Sequence, residues 1–174
     1  MANTAKIALK SPKEAAQMAA LARGLNAKHI LELGTCLGIT TAYLAKTGAH
    51  VTTIEADPTL ADCALKGWKQ MKLTHHIELH VGTFLTVLPQ LMQEWTDSKH
   101  VGFDLIFIDG HHEGEALMQY VHLLKPWLKS GHAPATIICD DIRWSKSMWG
   151  AWEQLAPEWP VSIDAGVSGW LIQG

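Results

Sequence analysis

The sequence predicts a single α/β domain built on a doubly wound, mostly parallel sheet of seven strands. Short apolar runs rich in β-forming residues alternate with longer helical patterns along the 174 residues, and this spacing is typical of right-handed βαβ units. Seven such runs occur in the sequence. The last two are joined only around Gly166 to Gly169, with no helix between them, so we expect the last strand to be antiparallel.

Each element has its own sequence signal. The first helix begins at Ser11-Pro12-Lys13-Glu14, an N-cap, a first-turn proline and a capping-box glutamate, and ends at Gly24. The predicted strands are HILEL (29–33), HVTTIEA (50–56), HIELHV (76–81), FDLIFID (103–109), ATIICDD (135–141), VSIDA and GWLIQG. The helices between them are ITTAYLAKTG (39–48), a segment from Pro58 to Met71, TFLTVLPQLMQEW with Pro89 inside it, EGEALMQYVHLLKPWL with Pro126 near its end, and SKSMWGAWEQL.

Composition excludes several classes of protein. Apolar residues make up 48% and charged residues 18%, as in globular domains. The formal charge is −3 and no Lys/Arg run occurs, so we expect neither nucleic-acid nor membrane-surface binding. Cys36, Cys63 and Cys139 lack the spacing of a disulfide framework or a zinc site. Without an apolar signal region or a membrane-length apolar stretch, the expected location is the cytoplasm.

The end of the first strand reads Glu32-Leu33-Gly34-Thr35-Cys36-Leu37-Gly38. Its glycine spacing is GxxxG, which differs from the GxGxxG that holds a dinucleotide pyrophosphate. The charge of Glu32 would oppose a phosphate. A cationic ligand without phosphate, such as S-adenosylmethionine (SAM), suits this turn better, although an ordinary strand–helix turn remains the alternative.

Two further strand ends indicate a nucleoside. Glu55 lies 21 positions after Gly34, where an acid accepts hydrogen bonds from the two ribose hydroxyls of nicotinamide and SAM cofactors alike. The alternative is a solvated surface acid. Gly82 and Thr83 follow the third strand, near where an adenine edge would lie, although taken alone they indicate no more than a turn.

Carboxylates and histidines follow the fourth and fifth strands. Asp109 precedes His111 and His112, and the next buried strand ends in Asp140-Asp141. If these strands are neighbours, three carboxylates converge, which is costly unless a cation such as Mg²⁺ joins them. Imidazoles titrate near neutral pH, so a histidine here is a candidate general base.

These motifs resemble the class I SAM-dependent methyltransferases. ELGTCLGITTAYLA, VTTIEADP, FDLIFIDG and IICDDIRWS follow the order of that family over residues 28–174. The closest resemblance is to small-molecule O-methyltransferases of the catechol and caffeoyl-CoA type and to related bacterial methyltransferases. It implies a Rossmann-like methyltransferase fold, one domain over 1–174, with residues 1–27 as a helical cap and 28–174 as the cofactor-binding core.

The resemblance also implies roles for individual residues. The SAM-binding set is Glu32, Gly34, Thr35, Gly38, Thr40, Glu55, Gly82, Thr83, Asp109 and His111. The catalytic set is His112, Asp109 and Asp141, and the metal ligands are Asp109, Asp140 and Asp141. Asp141 stands where the family has asparagine, and His112 stands where it has a lysine base. These departures leave open whether Mg²⁺ is used, and His112 acting as a direct base is the metal-free alternative.

The expected reaction is methyl transfer to a hydroxyl of a small molecule. Trp144, Trp149 and Trp152 either wall an aromatic acceptor or pack in the core. Two other functions remain open: a non-catalytic SAM-binding module, whose pocket a homodimer would complete, and a nicotinamide-dependent oxidoreductase, against which the missing GxGxxG counts.

Overall fold

The predicted fold class is confirmed in a computed structural model that describes residues 10–130 and 134–174. Its seven strands are ordered β3-β2-β1-β4-β5-β7-β6. The pairs β1–β2, β2–β3 and β4–β5 are parallel, and β7 runs antiparallel to both of its neighbours. The strands are β1 His29–Leu33, β2 His50–Glu55, β3 Ile77–Val81, β4 Leu105–Ile108, β5 Ala135–Cys139, β6 Val161–Asp164 and β7 Gly169–Gln173.

Helices occupy the predicted intervals between the strands. The α-helices of the described residues are α1 Pro12–Gly24, α2 Ile39–Ala45, α3 Pro58–Gln70, α4 Phe84–Asp97, α5 Gly114–Leu124 and α6 Lys146–Leu155. Short 3₁₀ turns occupy Thr74–His76, Lys125–Trp127 and Ala156–Glu158. None of the helices in the described part of the chain is long and apolar enough to cross a membrane.

The chain forms two compact units, one ending at His100 and the other beginning at Val101. In the first unit, β1 and β2 are almost wholly buried. Helices α2, α3 and α4 pack against β2, and α1 packs against α2. The capping box of α1 is present: the Ser11 hydroxyl accepts from the Glu14 amide and the Glu14 carboxylate accepts from the Ser11 amide. The assignment of residues 1–27 as a cap stays a prediction, since residues 1–9 lie outside the described part.

In the second unit, β4 and β5 are buried along their whole length. The β6–β7 hairpin adds the antiparallel edge, in which Ile137 of β5 pairs with Leu171. Helices α5 and α6 pack against each other.

Several strands are shorter than the sequence predicted. The fourth strand starts at Leu105 instead of 103, the fifth ends at Cys139 instead of Asp141, and His76 belongs to a 3₁₀ turn. Pro126 ends α5 and opens another 3₁₀ turn, because its ring cannot continue the helix. The acids after β4 and β5 therefore lie in loops, where their side chains are not confined by strand alternation.

Candidate functional site

The carboxylate of Glu55 is held at the end of β2 by two backbone amides. The Cys36 amide donates to Oε2 at 2.7 Å and the Asp57 amide donates to Oε1 at 2.9 Å. Asp57 also caps α3 by accepting from the Thr59 amide. Since a carboxylate has about four acceptor positions, each oxygen of Glu55 keeps capacity for a further donor, and the side chain is 9% exposed.

Glu32, near the end of β1, is a fully buried acid. Its Oε2 accepts from the Thr41 hydroxyl at 2.5 Å and the Thr53 hydroxyl at 2.7 Å, whereas Oε1 has no hydrogen-bond partner within residues 10–130 and 134–174. Burial raises the pKa of Glu32 to about 7; the two hydroxyls act in the opposite direction, and the charge of Glu55 adds to the increase.

The turn after β1 connects the two acids. The amides of Gly34 and Thr35 both donate to the Ile54 carbonyl, at 3.0 and 3.3 Å, and the Thr35 hydroxyl lies 2.6 Å from that of Thr53. Gly34 has a φ of 104°, which a residue with a side chain rarely adopts. The turn is thus fixed to β2, and it places the Cys36 amide against Glu55.

Gly38 has a packing role that the sequence did not reveal. It precedes α2 with a φ of 70°, and its carbonyl accepts from the Trp68 indole N–H at 2.8 Å. A Cβ at this position would lie 2.5 Å from Trp68 Cζ2. The glycine therefore allows the loop to contact the buried ring of α3, and its predicted contact with a cofactor stays a prediction.

The remaining predicted residues of the first unit lie near these strand ends. Thr40 is buried in the first turn of α2. The Gly82 amide donates to the Glu55 carbonyl at 2.8 Å, which fixes the loop after β3 to β2. Thr83 is exposed and caps α4 by accepting from the Thr86 amide.

In the second unit, the predicted convergence of acids is present in the backbone. Ile108 pairs with Cys139 in parallel register, so Asp109 and Asp140 occupy equivalent positions just beyond neighbouring strands. The Asp140 amide donates to the Ile108 carbonyl. Asp140 is buried, Asp109 and Asp141 are half-buried, and Asp141 adopts a φ of 50°.

His112 lies beside one of these acids. Its Nε2 is 3.9 Å from an Asp141 carboxylate oxygen, an ion-pair distance that is longer than a hydrogen bond. Its ring lies 5.9 Å from that of Trp144, which is 59% exposed. His112, Asp141 and Trp144 thus form a partly exposed polar and aromatic group at the ends of β4 and β5.

His111 is oriented by the following helix. Its Nδ1 lies 2.9 Å from the Tyr120 hydroxyl, and its Nε2 lies 3.7 Å from a Glu113 carboxylate oxygen. Burial, with a smaller contribution from the charge of Glu113, raises the pKa of Tyr120, so the phenol stays protonated. His111 is exposed and has a φ of 52°.

The three tryptophans considered as an acceptor wall, Trp144, Trp149 and Trp152, have different environments. Trp152 is core, and a Cβ on Gly169 would lie 2.4 Å from its ring. Trp149 lies under the Arg143 guanidinium, 4.1 Å from the ring centroid. Trp144 alone of the three has the exposure that an acceptor wall needs.

The acids after β4 and β5 are the candidate metal ligands. Within the described ranges, no three His, Cys, Asp or Glu side chains are arranged to hold a metal ion. The predicted set of Asp109, Asp140 and Asp141 therefore does not present a formed Mg²⁺ site, and metal binding stays a prediction.

Two residues that matter to the site escaped the sequence reasoning. Thr41 and Thr53 donate hydrogen bonds to Glu32. The sequence feature that could have indicated this is the pair of threonines, Thr52 and Thr53, inside a buried strand. Polar groups in such positions are normally hydrogen-bonded. Their partner had to be another polar group on the neighbouring elements.

Comparison with solved structures defines the class of fold. The O-methyltransferase TomG from Streptomyces achromogenes, solved in complex with SAM, superposes with a TM-score of 0.79 at 22% identity over 96% of this chain and 82% of that chain. The O-methyltransferase from Bacillus cereus, solved with SAH, gives 0.73 at 23% identity over 95% and 81%. The fold is thus the Rossmann-like fold of these methyltransferases.

The sequence defines the family. Residues 31–142 match the model of a family of methyltransferase domains, and the chain belongs to that family. A catechol O-methyltransferase of Niastella koreensis is 35% identical over 102 residues, which cover 57% of this chain and 44% of that protein. The chain spans about half the length of the curated relatives it matches.

Proposed function

We propose that this chain is a SAM-dependent methyltransferase that methylates a hydroxyl oxygen of a small molecule. The observation that carries this proposal is the Glu55 carboxylate, fixed by the amides of Cys36 and Asp57 with acceptor capacity left on both oxygens. Two hydroxyls on adjacent carbons of a ribose match such an acceptor pair. Membership of a family of methyltransferase domains supports SAM as the molecule that carries this ribose.

The charge near the end of β1 supports SAM over a phosphate-bearing cofactor. Glu32 lies in the same turn region as Gly34 and Thr35, and no cation offsets it among the groups that shift its pKa. The ionised acid would attract a sulfonium and an ammonium and repel a pyrophosphate, and the protonated acid would offer a pyrophosphate no charge to attract it. The other predicted SAM-binding residues are Gly38, Thr40, Gly82 and Thr83 in the first unit and Asp109 and His111 in the second, and their contact with SAM stays a prediction.

The protein's own contribution to the reaction is positioning and proton removal. SAM, when bound, would supply an electrophilic methyl group: the acceptor oxygen would bond to the methyl carbon while the carbon–sulfur bond breaks and S-adenosylhomocysteine leaves. His112 takes the proton of the acceptor hydroxyl, and Asp141, 3.9 Å away, stabilises the imidazolium that results. Asp109 is proposed to position the reacting groups.

The acceptor is proposed from the relatives' names and from the exposed aromatic ring. The relatives include proteins named catechol O-methyltransferase, and Trp144 offers an exposed face beside His112. Mg²⁺ stays an alternative proposal: Asp109, Asp140 and Asp141 would hold it, and it would orient the acceptor hydroxyl and favour its deprotonation. A homodimer stays a proposal.

The test is methyl transfer from SAM to a panel of catechols and simple phenols, followed by mass spectrometry, with and without Mg²⁺. We expect a methylated product, lost in Asp109→Asn with the circular dichroism spectrum unchanged, and retained in Glu115→Gln, a matched control at an exposed carboxylate of α5. SAM binding without turnover of any acceptor would contradict the catalytic proposal. A requirement for Mg²⁺ would contradict the metal-free mechanism.

A further inference from the structure

Glu32 is an acid whose surroundings fit a proton better than a charge. The side chain is 0% exposed. The Thr41 and Thr53 hydroxyls both donate to Oε2, and Oε1 has no partner in the described part of the chain. A buried carboxylate oxygen without a donor leaves its charge uncompensated.

The neighbouring charge that acts on Glu32 does not stabilise its carboxylate. Glu55 on β2 is the charged group that acts on it, and its like charge disfavours ionisation. Among the described residues of α2 and β2, its hydrogen-bond donors are the neutral hydroxyls of Thr41 and Thr53. A cation near Oε1 would reverse the balance, because it would favour the carboxylate.

We propose that Glu32 carries a proton on Oε1 in the cofactor-free protein and releases it when the cationic methionine end of SAM binds. This rests on the proposed function. In the release step the O–H bond of the carboxyl breaks, the electron pair stays on the oxygen, and the proton passes to the buffer. The positive charge of bound SAM would stabilise the resulting carboxylate. Cofactor binding therefore depends on pH through this residue.

The size of the effect follows from the pKa of Glu32, about 7 in the cofactor-free protein. At pH 7 about half of the molecules hold the proton, so binding releases about half a proton. From pH 8 to pH 6 the ionised fraction falls about tenfold, so the Kd for SAM rises about tenfold from this residue. The amino group of free SAM also titrates in this range, so a variant must be compared.

Calorimetric titration with SAM at pH 7 in two buffers of different ionisation enthalpy counts the protons released. We expect the wild type to release about half a proton more than Glu32→Gln, and Glu78→Gln, at an exposed acid on β3, to behave as the wild type. Methylthioadenosine, which lacks the amino-acid end, should release none. Equal release by wild type and Glu32→Gln would overturn the proposal.

A second measurement does not require binding. The infrared difference spectrum between cofactor-free wild type and Glu32→Gln should contain a carboxylic-acid C=O band that disappears with a midpoint near pH 7. In Thr41→Val, which loses one hydrogen bond to the charged form, the midpoint should move higher. Absence of the band at neutral pH would refute the proposal even if SAM binds. Presence of the band in a protein that fails to bind SAM would refute the proposed function and the release step together.

Discussion

Replacement of Gly38 by alanine tests whether this glycine serves packing or cofactor contact. The left-handed φ of 70° costs a residue with a side chain about 1–2 kcal/mol. The added Cβ would lie 2.5 Å from Trp68 Cζ2, so the ring must move and the indole N–H must leave the Gly38 carbonyl. A buried donor without its acceptor costs about 1–3 kcal/mol. Gly38→Ala should therefore lower the free energy of unfolding by about 2–5 kcal/mol.

The assay is urea denaturation monitored by tryptophan fluorescence and circular dichroism. Gly67→Ala is the matched control: it lies next to Trp68 in α3, nothing lies within 4 Å of its added Cβ, and it should gain up to about 1 kcal/mol of helix propensity. In Gly38→Ala combined with Trp68→Phe, the smaller ring should recover part of the loss. Equal stability of Gly38→Ala and Gly67→Ala would refute this account of the turn. Loss of SAM binding in a stable Gly38→Ala protein would favour cofactor contact instead.

Three further variants test other parts of the account. Between pH 4.5 and 7, Glu32 keeps a proton in the folded chain that it loses in the unfolded chain. The free energy of unfolding should therefore fall by about 3 kcal/mol as the pH rises from 4.5 to 7, and then level off. Denaturation measured across this range should lose this pH dependence in Glu32→Gln, and an unchanged pH dependence in the variant would refute the explanation. His112→Ala should lower kcat by at least about 100-fold with unchanged Kd for SAM, as expected for a general base, whereas a normal kcat would exclude that role. Gly114→Ala should lower the stability of the protein by about 1–3 kcal/mol, because the added Cβ would lie 2.2 Å from the Ser147 carbonyl oxygen. The control Gly150→Ala, whose added Cβ meets nothing within 4 Å, should not be destabilised. Equal melting temperatures of the two variants would contradict the close contact of α5 with α6.

The sequence predicted the elements well because its local signals agree with the tertiary fold. The capping box at Ser11 and the apolar run at 105–108 need no distant partner to be recognised. The fifth strand was predicted too long because Asp140 and Asp141 directly follow its apolar residues. In the structure both acids lie beyond the last residue pair between β5 and β7. Periodicity does not indicate where hydrogen bonding between strands stops.

For the candidate site, residue types were predictable and partners were not. The spacing from Gly34 to Glu55 indicated an acid at a strand end, and the structure places it there with both oxygens held. The contact of Trp68 with Gly38 joins residues 30 positions apart. No local sequence pattern indicates that this glycine packs against an indole ring.

The ends of β1 and β2 are proposed to bind SAM through Glu55. Titration of the cofactor-stripped protein with SAM by calorimetry tests this most directly, with Glu55→Gln and the matched control Glu78→Gln measured alongside. The account predicts a Kd in the micromolar range for the wild type and for Glu78→Gln, and affinity lowered at least about tenfold in Glu55→Gln, because a carboxylate that accepts from the ribose is worth about 1.5–3 kcal/mol. Equal affinity of the wild type and Glu55→Gln, or no binding by the wild type, would contradict it.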